Sequence, residues 1–177
     1  MSEIRIASRY AKSLVGLATE QGKLDRVAED VQIIYDMALS NPDLKSMLVS
    51  PVIKSTTKIT ILGKIFSSFD SLTSQFLVKV VEAGREALLH EMANQFIAIF
   101  NDLKGIAIAT VTTAMPLGEA NIITIKEYIS QKINKPHVNL TVKTDPGIIG
   151  GLIINYEDKL LDMSIKSELH KLKISLN

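Results

Sequence analysis

Apolar residues recur every three or four positions along most of the first hundred residues, the spacing that places them on one face of a helix. Ile4, Ala7, Ala11, Leu14, Val15 and Ala18 form the first such stripe. Ser2 is its expected N-cap, and Gly22 falls just past its end. Ile6, Tyr10 and Leu17 give the same helix a second apolar face. Leu24, Val27, Val31, Ile34, Tyr35 and Ala38 repeat the pattern until Asn41-Pro42 interrupts it. Pro42 then opens a short helix carrying Leu44, Met47 and Leu48, which Ser50-Pro51 closes. Ser55 is placed to cap a fourth helix through Ile59, Leu62, Ile65 and Phe66. A fifth follows Asp70, with Leu72, Phe76, Leu77, Val80 and Val81 inward and Gly84 at its end. The sixth runs from Leu88 through Met92, Phe96 and Phe100 to Leu103, stopping at Gly105.

At Gly105 the period changes. Ile106 to Met115 is rich in β-branched residues and free of charge, as a buried strand is. Pro116 and Gly118 precede a helix marked by Ile122, Ile125, Ile129 and Ile133. From His137 to Lys143 apolar and polar residues alternate, and Asp145-Pro146-Gly147 reads as a turn. Ile148 to Tyr156 and Lys159 to Met163 are expected to pair as a hairpin through Glu157-Asp158. Ser164 is placed to cap a last helix carrying Ile165, Leu169, Leu172 and Leu176. The expected architecture is α+β: a six-helix N-terminal bundle over residues 1–105, then a small α/β domain with a short sheet over residues 106–177.

Composition narrows the function. Hydrophobic residues make up 46% of the chain and mean hydropathy is +0.20, which excludes a disordered polar chain. The longest charge-free stretch, Gly105 to Gly118, is too short and too rich in Thr to span a bilayer, which takes about 20 apolar residues. Charges begin at Glu3, so the N-terminus lacks the apolar core of a signal peptide. Lys and Arg total 20 against 19 Asp and Glu. Twelve of each precede Gly105, and eight basic and seven acidic residues follow it. Neither half carries the basic stripe of a nucleic-acid reader.

Candidate chemistry is sparse. There is no Cys and there are three His, which removes disulfides, thiolate metal sites and cysteine nucleophiles. His90-Glu91-Met92-Ala93-Asn94 approaches the zinc motif HExxH, but Asn94 stands where the second imidazole must be. Gly147-Ile148-Ile149-Gly150-Gly151 has neither dinucleotide nor P-loop spacing and leads into a strand, where paired glycines mark a bulge or close backbone approach. Asp145, Glu157, Asp158 and Asp162 do not form a regular oxygen-ligand loop. Ser164 lies outside any GxSxG elbow. No catalytic residue, metal site or cofactor is expected.

The punctuating residues also carry a resemblance. Ala7-Ser8-Arg9-Tyr10-Ala11-Lys12-Ser13-Leu14, followed by Ala18, resembles the opening ARYAxAL pattern of the delta subunit of F-type ATP synthases, whose mitochondrial relative is the oligomycin-sensitivity-conferring protein. Asn41-Pro42, Leu44, Leu48, Pro51, Lys58, Phe76-Leu77 and Gly84-Arg85 follow in that family's order. Ala114-Met115-Pro116-Leu117 is similar to its A-x-P-L step. Asp145-Pro146-Gly147-Ile148-Ile149-Gly150-Gly151, then Asp162-Met163-Ser164, Leu169 and Leu172, resemble its C-terminal signature with the spacing kept. Ser13 departs from the usual Ala, a small-for-small change.

The resemblance implies a non-catalytic peripheral-stalk subunit. It would link the catalytic head to the membrane-anchored b-type stalk, so that proton-driven rotation is coupled to ATP synthesis. The partners it implies are the N-terminal helix of an α subunit, held by the first and fifth helices of the bundle, and the C-terminus of the b-type stalk, held by the second domain. Membrane association would come only through the complex, at the cytoplasmic face of the bacterial plasma membrane, and no nucleic acid is involved. On the first and fifth helices the implied contact residues are Ile6, Tyr10, Ala11, Leu14, Leu17, Phe76, Lys79, Val80 and Ala83. Of these, Ile6, Tyr10 and Leu17 stand off the inward stripe of Ile4, Ala7, Ala11, Leu14 and Ala18. A compact bundle that buries both faces accounts for the same stripes. A generic α-helical adaptor unrelated to the synthase is the alternative function.

Overall fold

The computed structural model describes residues 3–156 and 159–175 of the chain. Its elements are α1 (Glu3–Glu20), α2 (Leu24–Ser40), α3 (Pro42–Val49), α4 (Ser55–Ile65), α5 (Ser71–Glu82) and α6 (Leu89–Leu103), then β1 (Ile106–Thr113), α7 (Glu119–Ile133), β2 (His137–Thr144), β3 (Gly151–Tyr156), β4 (Lys159–Ser164) and α8 (Ile165–Ser175). Single 3-10 turns at Glu86–Leu88 and Pro146–Ile148 precede α6 and β3. The α+β class expected from the sequence is the class observed. The chain divides into two compact units, residues 1–100 and 101–177. Ser2, the Glu157-Asp158 connection and Leu176 lie outside the described residues, as does the side chain of Leu172.

In the helical unit one continuous core joins all six helices. Ala7, Ala11, Leu14 and Ala18 meet Val27, Val31 and Ile34, and Leu62, Leu77, Val80, Met92 and Phe96 complete it. Small residues dominate the inward face of α1, which lets its neighbours approach closely. The helix starts follow from local chemistry. The Asn41 side chain accepts from the backbone N–H groups of Asp43 and Leu44, both at 3.1 Å, and Pro42 occupies the first turn, where its missing N–H costs nothing. Asp70 caps α5 by accepting from the Leu72 N–H at 2.9 Å. Ser55 does not cap α4: it is the first helical residue, and Lys54 precedes it without a side-chain cap.

Polar groups also tie the bundle together. Asp30 is fully buried, yet one of its carboxylate oxygens accepts from the Asp70 N–H at 2.8 Å and from the Thr73 hydroxyl at 2.9 Å. Arg26 approaches the other oxygen at 3.3 Å. Lys58, also buried, donates to the Leu48 carbonyl and to Glu86, each at 2.7 Å. That amine therefore joins α3, α4 and the turn before α6.

The second unit is a four-stranded sheet in the order β2-β1-β3-β4. β1 pairs parallel with β2 and antiparallel with β3, and β3 pairs antiparallel with β4. A parallel neighbour requires a crossover, and α7 supplies it. Ala109, Val111 and Ile154 on one face of the sheet pack with Ile125 and Ile129 of α7. The expected strand from Ile148 begins instead at Gly151. The reason is local: the Asp145 side chain accepts from the Gly147 N–H at 2.8 Å, and this holds Pro146–Ile148 in a 3-10 turn. Likewise β1 ends at Thr113 rather than Met115, because the Thr113 hydroxyl turns back to the Met115 carbonyl at 2.8 Å.

Two residues where the chain enters β3 have unusual backbones. Gly151 has φ +75°, and a Cβ there would lie 2.2 Å from the Met163 carbonyl oxygen. Glycine is required at that position. Ile149 has φ +69° and ψ −39°, a region in which a β-branched residue is an outlier and strain is on the order of 1–3 kcal/mol.

Candidate partner-binding surface

α1 and α5 lie side by side in the helical unit and leave a groove between them. Tyr10 and Phe76 meet edge to face across it, with ring centroids 6.4 Å apart and planes at 69°. Beyond this pair the groove opens into a cavity of about 510 Å³. Its apolar wall is made by Leu14, Leu17, Leu72, Phe76 and Val78, and its polar rim by Ser74, Gln75 and Lys79. The Lys79 amine donates to Glu82 at 2.8 Å. That hydrogen bond, reinforced by the carboxylate charge, holds the amine above its ordinary pKa.

Eight of the nine residues expected here separate into three groups. Tyr10 and Phe76 are half-buried, with their rings in contact. Leu17, Lys79 and Ala83 are exposed. Ala11, Leu14 and Val80 belong to the core, although Leu14 also forms part of the groove wall. Ile6 departs from its expected place, since it is buried at 8% exposure while Ile4 is 60% exposed. Ile4, expected inward, instead lines a second, open cavity of about 490 Å³ with Ala38, Leu39 and Val49.

Val78 and Ser74 were not singled out from the sequence, and both face the groove. They also line a smaller cavity of about 100 Å³ between α4 and α5, with Ile59, Leu62 and Phe66. Their i, i+4 spacing was the available signal. An isolated Val between Leu77 and Lys79 reads as one more member of a wide stripe, so it did not stand out.

An apolar trough with aromatic walls and a thin polar rim has the chemistry to receive one amphipathic helix through anchors at i, i+3 and i+4. The residues weighed for catalysis have other partners. His90 stacks on Tyr35 with centroids 5.0 Å apart. The Ser164 hydroxyl accepts from the Ser167 N–H at 3.1 Å and so caps α8. Asp162 accepts from the Ser164 N–H at 2.9 Å. Its carboxyl is held below the usual carboxylate range, first by the Ser164 hydroxyl and then by that N–H. Among the described residues no group of three His, Asp or Glu side chains is arranged to hold a metal ion, and no helix is long and apolar enough to cross a membrane.

Comparison with known proteins bears on the whole chain. The family model for the ATP synthase delta (OSCP) subunit matches residues 6–176. ATP synthase subunit delta of Lactobacillus gasseri is 33% identical over 176 residues, covering 99% of this chain and 97% of that protein. The corresponding subunit of Carboxydothermus hydrogenoformans is 32% identical, covering 99% of each. That of Synechococcus elongatus is 32% identical over 168 residues, covering 94% of this chain and 93% of its own. In fold, the chain is similar to one from the cryo-EM structure of the Toxoplasma gondii mitochondrial ATP synthase hexamer, with a TM-score of 0.76, 20% identity and 96% of each chain covered. With a matching family model over nearly its full length and relatives of the same size, the chain belongs to the ATP synthase delta (OSCP) subunit family.

Proposed function

We propose that this chain, a peripheral-stalk subunit of an F-type ATP synthase, is a non-catalytic joint that holds the N-terminal helix of an α subunit in the α1–α5 groove and the C-terminus of the b-type stalk on its second unit. The turning central shaft drags on the catalytic head. A joint of this kind keeps the head from following, so that proton-driven rotation is spent on ATP synthesis. The complex brings the chain to the cytoplasmic face of the bacterial plasma membrane.

The α1–α5 groove carries the reading. A stator contact must persist through many turns, and nanomolar affinity corresponds to about −12 kcal/mol. An interface on the order of 1,600 Å² reaches that value when a few apolar anchors are well buried. Tyr10, Leu14, Leu17, Leu72 and Phe76 supply such anchors, and the rim holds few charges. The near-neutral chain, with 20 basic and 19 acidic residues, supports a joint held by packing rather than by electrostatic attraction.

Calorimetric titration of the full chain with an α-subunit N-terminal peptide tests this. Leu17→Asp, Tyr10→Asp and Phe76→Asp are each expected to weaken binding at least tenfold, with helical circular dichroism retained. Leu17 is the most informative because it is already 44% exposed, so its replacement leaves the core intact. Unchanged affinity in folded variants would remove the groove from the interface.

A further inference from the structure

α1 and α5 face each other across the groove, but each takes support from α2, and α5 from α4 as well. The width of the groove is therefore set by where α5 lies on its supports. Apolar packing leaves that position loose, because α5 has open space on two flanks. One is the groove cavity of about 510 Å³, the other the cavity of about 100 Å³ toward α4. Ser74 and Val78 border both. A void removes contact atoms from its lining, so it does little to fix the helix beside it.

Directional polar contacts supply what packing does not. Lys23, the N-cap of α2, stands on one face of that helix with Arg26 and Asp30, three and seven residues on. Together they fasten the segment that starts α5. Lys23 pairs with the Asp70 carboxylate at 2.9 Å. Arg26 donates to the Ser68 carbonyl at 2.9 Å and lies 3.3 Å from one Asp30 oxygen. The other Asp30 oxygen accepts from the Asp70 N–H at 2.8 Å and from the Thr73 hydroxyl at 2.9 Å. Asp30 and Thr73 are both fully buried. An apolar pair would join two helices without the desolvation cost of a carboxylate. What the hydrogen-bonded carboxylate adds is a fixed direction. Thr73 adjoins Leu72 and precedes Phe76 by three residues, so a displacement at Thr73 passes to both groove residues through the first turn of α5.

We infer that Asp30 is a positioning residue of the groove: by holding the start of α5 on α2 it sets Leu72 and Phe76 opposite Tyr10 and Leu14, and so sets the affinity for the helix held between them. This rests on the groove reading above and extends it to α2, which contributes no wall residue.

The experiment uses the full chain, titrated calorimetrically with the α-subunit N-terminal peptide. The aromatic resonances of Tyr10, displaced by the neighbouring Phe76 ring, are followed by NMR without peptide. Asp30→Asn puts an amide donor where the carboxylate only accepts. It is expected to shift the Tyr10 resonances and to weaken binding about fivefold, the size of one hydrogen-bond contribution. Thr73→Val removes the hydroxyl tie without touching the buried charge and is expected to act the same way to a smaller degree. Thr73→Ser, which keeps the hydroxyl, is expected to match the wild type in both readouts. Leu48→Ala opens a hole in α3, away from the groove. It is expected to lower the urea midpoint as much as Asp30→Asn while leaving affinity and the Tyr10 resonances unchanged. Wild-type affinity in Asp30→Asn and Thr73→Val, or losses that Leu48→Ala reproduces, would overturn the inference and leave the groove reading intact. A wild-type chain that does not bind the peptide would remove both.

Discussion

Single residues fix where the chain turns and how it responds to acid. Asp70 has its carboxyl held below its usual value of 3.8, first by the Leu72 N–H and then by Lys23. Asp162 is held low by Ser164. A carboxylate whose pKa is lower in the folded chain binds protons more weakly there than in the unfolded chain. Its stabilising contribution is therefore complete above the unfolded value and is lost as pH falls through the folded one. Thermal midpoints are expected to hold steady from neutral pH to about pH 4 and to drop below it. Asp70→Asn and Asp162→Asn should each make that acid limb shallower, as followed by circular dichroism. Limbs of identical slope would show that neither carboxylate takes part in acid unfolding. The place of Asp70 before the fifth apolar stripe was legible in the sequence, whereas the tie from Asp162 to Ser164 was not. Nor was the backbone of Ile149. Nothing in the residue type announces a left-handed isoleucine, since the neighbours impose it.

At the scale of elements, periodicity located the helices well, while side-chain ties between them stayed hidden. The stripes of α1 to α6 follow from apolar spacing, and β1 announced itself by its lack of charge. A buried lysine leaves no such trace. Lys58 stood out in the sequence only as one of the residues that carry the resemblance, yet it is 3% exposed and paired with Glu86 at 2.7 Å. Removing one member of a buried pair strands the other charge, at a cost of about 3–5 kcal/mol. Lys58→Met is expected to destabilise the helical unit by that amount in urea unfolding. Lys58→Met/Glu86→Leu should recover much of the loss, since well-packed apolar substitutes replace such pairs at little cost. A double variant as unstable as the single one would mean that the Leu48 carbonyl, also bound by Lys58, matters more than the charge pair. The groove was half legible for a related reason. The sequence pointed to α1 and α5, but which apolar face each helix turns outward depends on neighbours that periodicity does not reveal. For that reason Ile6 and Ile4 took places opposite to those expected.

Across the whole molecule the two units differ in how much each can bury. The helical unit has a core reaching every helix, with Phe96, Leu14 and Ile34 almost fully enclosed. The fully buried cluster of the second unit comprises Ala109, Val111, Ile125, Ile129 and Ile154, and units of this size have limited burial to offset chain entropy. Hydrogen exchange on the isolated chain is expected to show lower protection in the second unit, and to show a gain there when a C-terminal fragment of the b-type stalk is bound. Equal protection in both units would count against a partner-stabilised second unit. On the proposed reading, such a joint is firm where it would hold the head and gains rigidity on the stalk side only on assembly.

The place of β1 in the sheet has a consequence for biosynthesis. It is the first strand made, it occupies an interior position, and both of its neighbours come later: β2 after the crossover helix and β3 after the strained turn. The helical unit precedes all of them and consists of contacts local enough to form early. A growing chain thus passes through an interval in which a completed bundle is followed by a charge-free strand with two open edges, the kind of segment that pairs with another chain when left waiting. That interval closes only once Tyr156 is available for pairing with Ala109. Translation speed through residues 114–156 therefore bears on how much of this subunit reaches the synthase rather than an aggregate.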